Sequence, residues 1–132
     1  MKIQVGDTFT TSRQVTDELI RKFADVSGDH NPLHLDDEFA ATTRFGRRIA
    51  HGMLSGAFIS ALLGNEFRDL KIVYLSQKMS FKAPVYLDDT VTATGTVINI
   101  RLGKGIVTLD TTCTNQYGTT LVTGEAVVMV LP

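Results

Sequence analysis

One short segment concentrates the residue types that could support catalysis. Asp29, Asn31 and His34 fall within six positions, with Pro32 between them. A carboxylate and an imidazole held by one turn can orient a water molecule, and an imidazole titrating near neutrality can transfer its proton. Pro32 would stiffen the segment, and Asn31 offers an amide to the loop or to a ligand. On spacing alone, an Asx turn at Asp29 beside a half-buried structural His34 remains an alternative.

Metal binding is the second chemistry that this segment suggests. His30, His34 and Asp36 could supply ligands, because histidines four positions apart on a helix face the same way. Pro32 interrupts a helix between them, so we expect no metal. Cys113 is the only cysteine, which excludes a disulfide framework and argues against a cysteine-based zinc site.

A glycine and a group of basic residues mark two further candidate binding features. Gly52 lies near the start of an apolar segment, where the first N–H groups of a helix lack partners and carry partial positive charge. A carbonyl oxygen could dock there, as in an oxyanion hole, although close helix–sheet packing also explains a glycine. The basic residues could bind a phosphate or form a solvated surface; they are Arg44, Arg47, Arg48 and Lys82.

Composition limits the classes of function. The 132 residues suit a single domain, 1–132, and the 13 basic and 14 acidic residues give a net charge of −1. Nothing in this balance attracts nucleic acid or an anionic membrane, and tryptophan is absent. Without an apparent signal peptide or transmembrane run, we expect a soluble cytoplasmic protein.

The elements that must position the candidate residues are mainly helical in the first half. A strand over residues 1–15, with a turn at Gly6-Asp7, should precede a helix from Thr16 to Gly28. The Thr16 side chain can cap that helix, and Gly28 is a plausible stop. A loop from Asp29 to Asp36 and a short helix over Glu38–Thr43 should follow. The segment Ile49–Leu63 is apolar on nearly every side, which predicts a buried helix.

The second half reads as strands. Period-2 alternation of apolar and polar residues, rich in Val and Thr, runs through residues 74–81, 90–100, 107–113 and 119–131. Turns are expected at Gly103–Gly105 and Asn115–Gly118. The whole is therefore predicted to be α+β, a long antiparallel sheet wrapped around a central buried helix.

Several segments together form a pattern that is more specific than any one of them. They are DHNPLH at 29–34, FAA at 39–41, IAHGM at 49–53, SFKAPV at 80–85 and VTGEA at 122–126. The pattern resembles the MaoC-like dehydratases, and more closely the (R)-specific enoyl-CoA hydratases. One departure is Leu87-Asp88-Asp89, where the family usually has Gly-Asp after a turn. Because aspartate tolerates left-handed backbone angles, we expect the turn to survive.

The resemblance implies the hot dog fold and a homodimer whose two sheets join edge to edge, with the active site at the dimer interface. It also implies a lyase of fatty acid metabolism that reversibly adds water to a trans-2-enoyl-CoA, giving the (R)-3-hydroxyacyl-CoA by syn hydration. An acyl-CoA thioester is the implied substrate, and no cofactor is implied.

The resemblance also assigns roles to particular residues. Asp29 and His34 would hold and activate the water, and the Gly52 N–H would polarise the thioester carbonyl. Asn31 would support the loop or contact the substrate. Ser60 matches a hydroxyl-bearing position on the central helix and would orient the catalytic pair.

Three alternative functions follow from the same features. The first is a dehydratase acting on acyl-carrier-protein thioesters by the same chemistry. The second is a hot dog thioesterase, against which we note that Gly52–Leu63 contains no acidic residue. The third is a non-catalytic acyl-binding subunit, which would be expected to lack Asp29 or His34.

Overall fold

The computed structural model describes residues 2–132 and is built on one five-stranded antiparallel sheet. The strand order is β1-β3-β4-β5-β2, so β1 and β2 form the two edges. The strands are β1 (Thr8–Gln14), β2 (Ile72–Phe81), β3 (Thr90–Arg101), β4 (Ile106–Thr114) and β5 (Thr120–Val130). The helices are α1 (Asp17–Ser27), α2 (Pro32–Leu35), α3 (Asp37–Ala41) and α4 (Gly52–Glu66).

Helix α1 begins and ends at the predicted residues. The Thr16 hydroxyl accepts a hydrogen bond from the Leu19 N–H at 3.1 Å, and Gly28 ends the helix with φ of 79°. Asp17 and Glu18 in the first turn complement the helix dipole. Local capping chemistry thus sets the point at which the chain leaves α1 and enters segment 29–34.

The prediction of a continuous loop from Asp29 to Asp36 is wrong, because Pro32–Leu35 forms α2. Asn31 caps this helix, its side-chain oxygen accepting from the Leu33 N–H at 3.0 Å, and Pro32 occupies the first turn. Proline disfavours helical geometry in the residue before it but suits the first helical position. Asp36 then caps α3, its side chain accepting from the Phe39 N–H at 3.1 Å.

Helix α4 packs against the sheet and buries one of its two faces. Its buried residues are Leu54, Ser55, Phe58, Ile59, Leu62 and Leu63. On the opposite face Met53 is 56% exposed, and Ala57 and Ser60 are also exposed. One sheet can cover only one side of a helix, so the other side of this apolar helix stays open in the single chain. None of the helices within residues 2–132 is long and apolar enough to cross a membrane.

The turn at Asp88 adopts the expected left-handed conformation. Its φ is 72°, the only positive value at a non-glycine residue in the described chain. Asp89 stabilises this turn, since its carboxylate accepts from the Tyr86 N–H at 2.9 Å and from the Gln116 side chain at 2.8 Å. The predicted turns before β4 and β5 are also present, with positive φ at Gly105 and Gly118.

Candidate active site

Asp29 and His34 face each other across a short gap. The distance between Asp29 Oδ2 and His34 Nε2 is 4.0 Å, which is too long for a direct hydrogen bond. His34 Nδ1 lies 2.7 Å from the Ile49 carbonyl oxygen. Because a carbonyl can only accept, Nδ1 carries a hydrogen, and in the neutral imidazole Nε2 then presents a lone pair towards Asp29. The arrangement offers two acceptors to a single small donor.

The backbone around Asp29 is held by local hydrogen bonds. Asp29 Oδ1 accepts from the Asn31 N–H at 3.1 Å, and the Asp29 N–H donates to Ser27 Oγ at 3.2 Å. The Asn31 side-chain oxygen caps α2, and contact of Asn31 with a substrate stays a prediction. Half of the Asp29 side chain, 52%, remains exposed, whereas His34 is nearly buried.

Arg48 is buried and links segment 29–34 to α1. Its Nε donates to the His34 carbonyl oxygen at 2.8 Å, and its guanidinium also pairs with Asp17 and, at 3.8 Å, with Asp37. Hydrogen bonds from Arg48 and then from Arg21 lower the pKa of Asp17. With only 4% of its surface exposed, Arg48 belongs neither to a phosphate site nor to a solvated basic surface.

His51 joins the two halves of the site. Its ring stacks on His34 with centroids 3.9 Å apart and planes inclined by 28°. Its Nε2 lies 3.0 Å from the Asp29 carbonyl oxygen. In the sequence analysis His51 occurs only within the motif IAHGM at 49–53. No spacing pattern links it to Asp29, which is 22 positions away.

Gly52 is the first residue of α4 and borders a pocket of about 290 Å³. Its N–H makes no hydrogen bond to another described residue, as the helix geometry requires. A Cβ at this position would lie 2.9 Å from Cε1 of Phe81, so glycine leaves room for the exposed Phe81 side chain. Apolar groups of Phe81 and Val122 line the pocket. Asp29 and His34, called the dyad below, do not line this pocket. His51 contacts both of them and is the residue directly before Gly52 in the chain.

The remaining basic residues divide between the pocket and the surface. Arg44 and Lys82 line the pocket beside Gly52. Arg47 instead places its guanidinium 4.0 Å from the centre of the Tyr86 ring. A phosphate contact is therefore open to Arg44 and Lys82 and not supported for Arg48.

Two sequence-based groupings are not assembled in the single chain. His30 Nε2 lies 3.2 Å from Asp25 Oδ1 and not beside His34. The one cluster of potential metal ligands in residues 2–132 is Asp29, His34 and His51. Ser60 lies on the exposed face of α4 and forms no hydrogen bond to the dyad, so its orienting role stays a prediction.

Comparison with known proteins places the fold and the family. The family model of the "MaoC like domain" matches residues 2–117. The chain belongs to the MaoC-like family. Its relatives include an (R)-specific enoyl-CoA hydratase from Rhodospirillum rubrum, 44% identical over 97% of this chain and 88% of that protein. A mitochondrial 3-hydroxyacyl-[acyl-carrier-protein] dehydratase from Arabidopsis thaliana is 33% identical, covering 98% of this chain and 78% of that protein.

The solved structures agree with the family assignment. The (R)-hydratase of A. caviae involved in PHA biosynthesis superposes with a TM-score of 0.94 and 45% identity, covering 99% of this chain and 98% of that chain. The α+β hot dog prediction is thus confirmed, with a MaoC-like sheet and its central helix. The resemblance that the five motifs carried is confirmed as well.

Proposed function

We propose that this MaoC-like protein is an (R)-specific enoyl-CoA hydratase, a hydro-lyase that adds water to trans-2-enoyl-CoA reversibly. The observation that carries the proposal is the Asp29–His34 gap of 4.0 Å, with His34 Nδ1 hydrogen-bonded to the Ile49 carbonyl oxygen and Nε2 facing Asp29. Relatives at 44% and 45% identity over nearly the whole chain bear the same activity in their names. No step of this reaction needs a cofactor.

The gap fits one water molecule that donates to both acceptors. With hydrogen bonds of about 2.8 Å to each atom, the 4.0 Å separation gives an angle of roughly 90° at the water oxygen. This is near the angle between the two O–H bonds of water, and it leaves an oxygen lone pair directed away from Asp29 and His34. The oxygen attacks C3 while the dyad takes one water proton and passes a proton to C2. Both additions come from one face, so hydration is syn.

Gly52 is proposed to bind the thioester carbonyl. Its unpaired N–H and the positive end of the α4 dipole stabilise the enolate-like charge that develops on the oxygen. His51 stacks on His34 and directly precedes Gly52 in the chain. The dyad and the Gly52 N–H could therefore bind the water and the thioester carbonyl of one substrate at the same time.

The pocket beside Gly52 is the proposed entry for the thioester arm. Phe81 and Val122 would contact its apolar parts, and Arg44 and Lys82 would meet the phosphates of the coenzyme. The named carrier-protein dehydratase among the relatives supports a second substrate with the same chemistry. Parallel assays with crotonyl-CoA and the crotonyl carrier-protein thioester decide between the two carriers. Neutralising Arg44 and Lys82 should raise KM for the preferred one.

The catalytic test compares the dyad with a nearby acid–imidazole pair. Asp29→Asn and His34→Ala should each lower hydration of crotonyl-CoA by at least about a hundredfold, because each removes one acceptor of the water. Asp25→Asn and His30→Ala are matched controls. Asp25 and His30 also form a carboxylate–imidazole pair, 3.2 Å apart, but their side chains are exposed and lie outside the candidate site. Turnover like that of the unmodified protein in either dyad variant would contradict the assignment.

We propose further that two chains pair through β2 as a homodimer. The outer side of β2 has no partner strand, and its side chains Val73, Tyr74 and Leu75 are 37–47% exposed. The other edge strand, β1, has the polar sequence TFTTSRQ. An exposed apolar edge favours pairing with another strand, and a second copy would extend the sheet.

Light scattering on a sizing column tests the dimer. Leu75→Glu should shift the mass towards the monomer of 14.4 kDa, since each of the two paired edges would then bring a negative charge into the interface. Leu102→Glu is the control, because Leu102 is 87% exposed in the turn between β3 and β4. A monomeric unmodified protein, or an unshifted Leu75→Glu variant, would refute pairing at this edge.

A further inference from the structure

His51 contacts both members of the dyad, and the proposed reaction gives it no proton to transfer. Its ring stacks on His34 at 3.9 Å, and its Nε2 reaches the main chain of Asp29 at 3.0 Å. The Phe23 ring also contacts His51, and the centroids of these two rings are 5.0 Å apart. Only 3% of His51 is exposed, so it has no access of its own to substrate in the chain described.

The hydrogen bonding of His51 selects one tautomer. The Asp29 carbonyl can only accept, so His51 Nε2 must carry a hydrogen. Its Nδ1 is buried and has no hydrogen-bond partner in residues 2–132. A hydrogen on Nδ1 would be a buried donor without an acceptor, which is costly. A bare lone pair on Nδ1 costs less, and this favours the neutral Nε2–H form.

The surroundings of His51 act in the same direction. Burial lowers the pKa of His51, although the hydrogen bond to the Asp29 carbonyl opposes this. A positive charge on the neighbouring His34 also lowers the pKa, whereas the negative charge of the Asp29 carboxylate raises it; burial is the largest effect, and the net shift is downward. A neutral His51 therefore allows His34 to accept a proton during turnover without a second positive charge stacked against it.

We propose that His51, as a neutral Nε2–H imidazole, is a positioning residue that fixes the spacing of the catalytic dyad. The ring sets the plane of His34, and the Nε2–H anchors the main chain of Asp29, whose half-exposed carboxylate is otherwise held only by local turns. Loss of the anchor would let Asp29 move relative to His34, and the water would no longer meet both acceptors. This inference rests on the proposed hydratase function.

Two amide substitutions separate the anchor from simple packing. In His51→Gln the amide nitrogen is as many bonds from Cα as Nε2 is, so it can still donate to Asp29. In His51→Asn it is one bond shorter, matching Nδ1, and cannot reach. We expect His51→Asn to lower kcat by about tenfold or more, with KM for crotonyl-CoA nearly unchanged, and His51→Gln to recover most of kcat. A role in packing alone would instead let His51→Leu, which fills a similar volume without a donor, recover kcat as well as His51→Gln does.

The tautomer of the unmodified protein is an independent test. Nitrogen-15 spectra of its three histidines should show His51 with hydrogen on Nε2 and a bare Nδ1 at neutral pH. Equal kcat for the two amide variants, or hydrogen on Nδ1, would overturn the proposal, and the spectra decide it even if both variants misfold. Absence of hydration by the unmodified protein would instead refute the proposed function.

Discussion

Replacing Arg48 with methionine should damage the protein far more than replacing its neighbour Arg47. Arg48 is 4% exposed and joins three parts of the chain, donating to the His34 carbonyl and pairing with Asp17 and Asp37. Methionine preserves most of the apolar stem but removes the charge and every donor. The His34 carbonyl then loses a charged hydrogen-bond donor.

The expected loss follows from the exposure of each partner. A hydrogen bond from a charged group contributes about 1.5–3 kcal/mol to the free energy of unfolding. The pair with Asp17 adds about 1 kcal/mol, because the Asp17 side chain is 49% exposed and water can replace the guanidinium. The total is about 3 kcal/mol, equivalent to a fall of about 10 °C in Tm for a chain of this size.

The assay is thermal unfolding at one protein concentration, together with hydration of crotonyl-CoA. Arg47→Met is the matched control, because Arg47 is exposed and its main contact is the Tyr86 ring at 4.0 Å. That contact accounts for about 0.5–1 kcal/mol. Arg48→Lys should fall between the two, since an ammonium keeps the charge but lacks the planar fork that reaches two partners. Equal Tm values for the two methionine variants would refute this account of Arg48.

Three further predictions concern other parts of the molecule. Gly52→Ala should raise KM several-fold and leave Tm nearly unchanged, because its Cβ would meet the outer atoms of the Phe81 ring at 2.9 Å and push an exposed side chain across the pocket; steady-state kinetics and thermal unfolding test this. The pKa of Asp17 is lowered in the folded state, chiefly by Arg48, so its stabilising effect is complete above the unfolded pKa of about 3.9 and is lost as the pH falls further. Urea unfolding from pH 6 to pH 3 should therefore show the difference between Asp17→Asn and the unmodified protein shrinking. Cys113 is fully buried and burial raises its pKa to about 11, so it should react with a thiol reagent only after denaturant is added.

Local chemistry made much of the fold predictable. The Thr16 cap, the Gly28 stop and the left-handed Asp88 each depend on neighbours within a few positions, and all three are as expected. Strand alternation likewise records which side of each strand faces the core. The local error at α2 came from treating Pro32 as a helix breaker when it stands at the first position of a new helix, and the strand expected over residues 1–15 is confined to Thr8–Gln14.

The candidate site likewise has residues that could be predicted from local sequence and residues that could not. Asp29 and His34 are five positions apart, so one turn brings them together and the sequence could nominate the pair. Gly52 could also be predicted from the sequence. The apolar run marks where the helix begins, and the first N–H groups of a helix lack partners whatever the helix packs against.

Only the tertiary structure decided what holds that pair in place. Arg48 reaches His34 across 14 positions and Asp17 across 31, and His51 reaches Asp29 across 22. Contacts at such separations arise when α1, α2 and the start of α4 pack together, and no periodicity or spacing encodes them. For this reason the sequence predicted Arg48 as a surface or phosphate-binding residue, whereas packing made it a buried link behind His34.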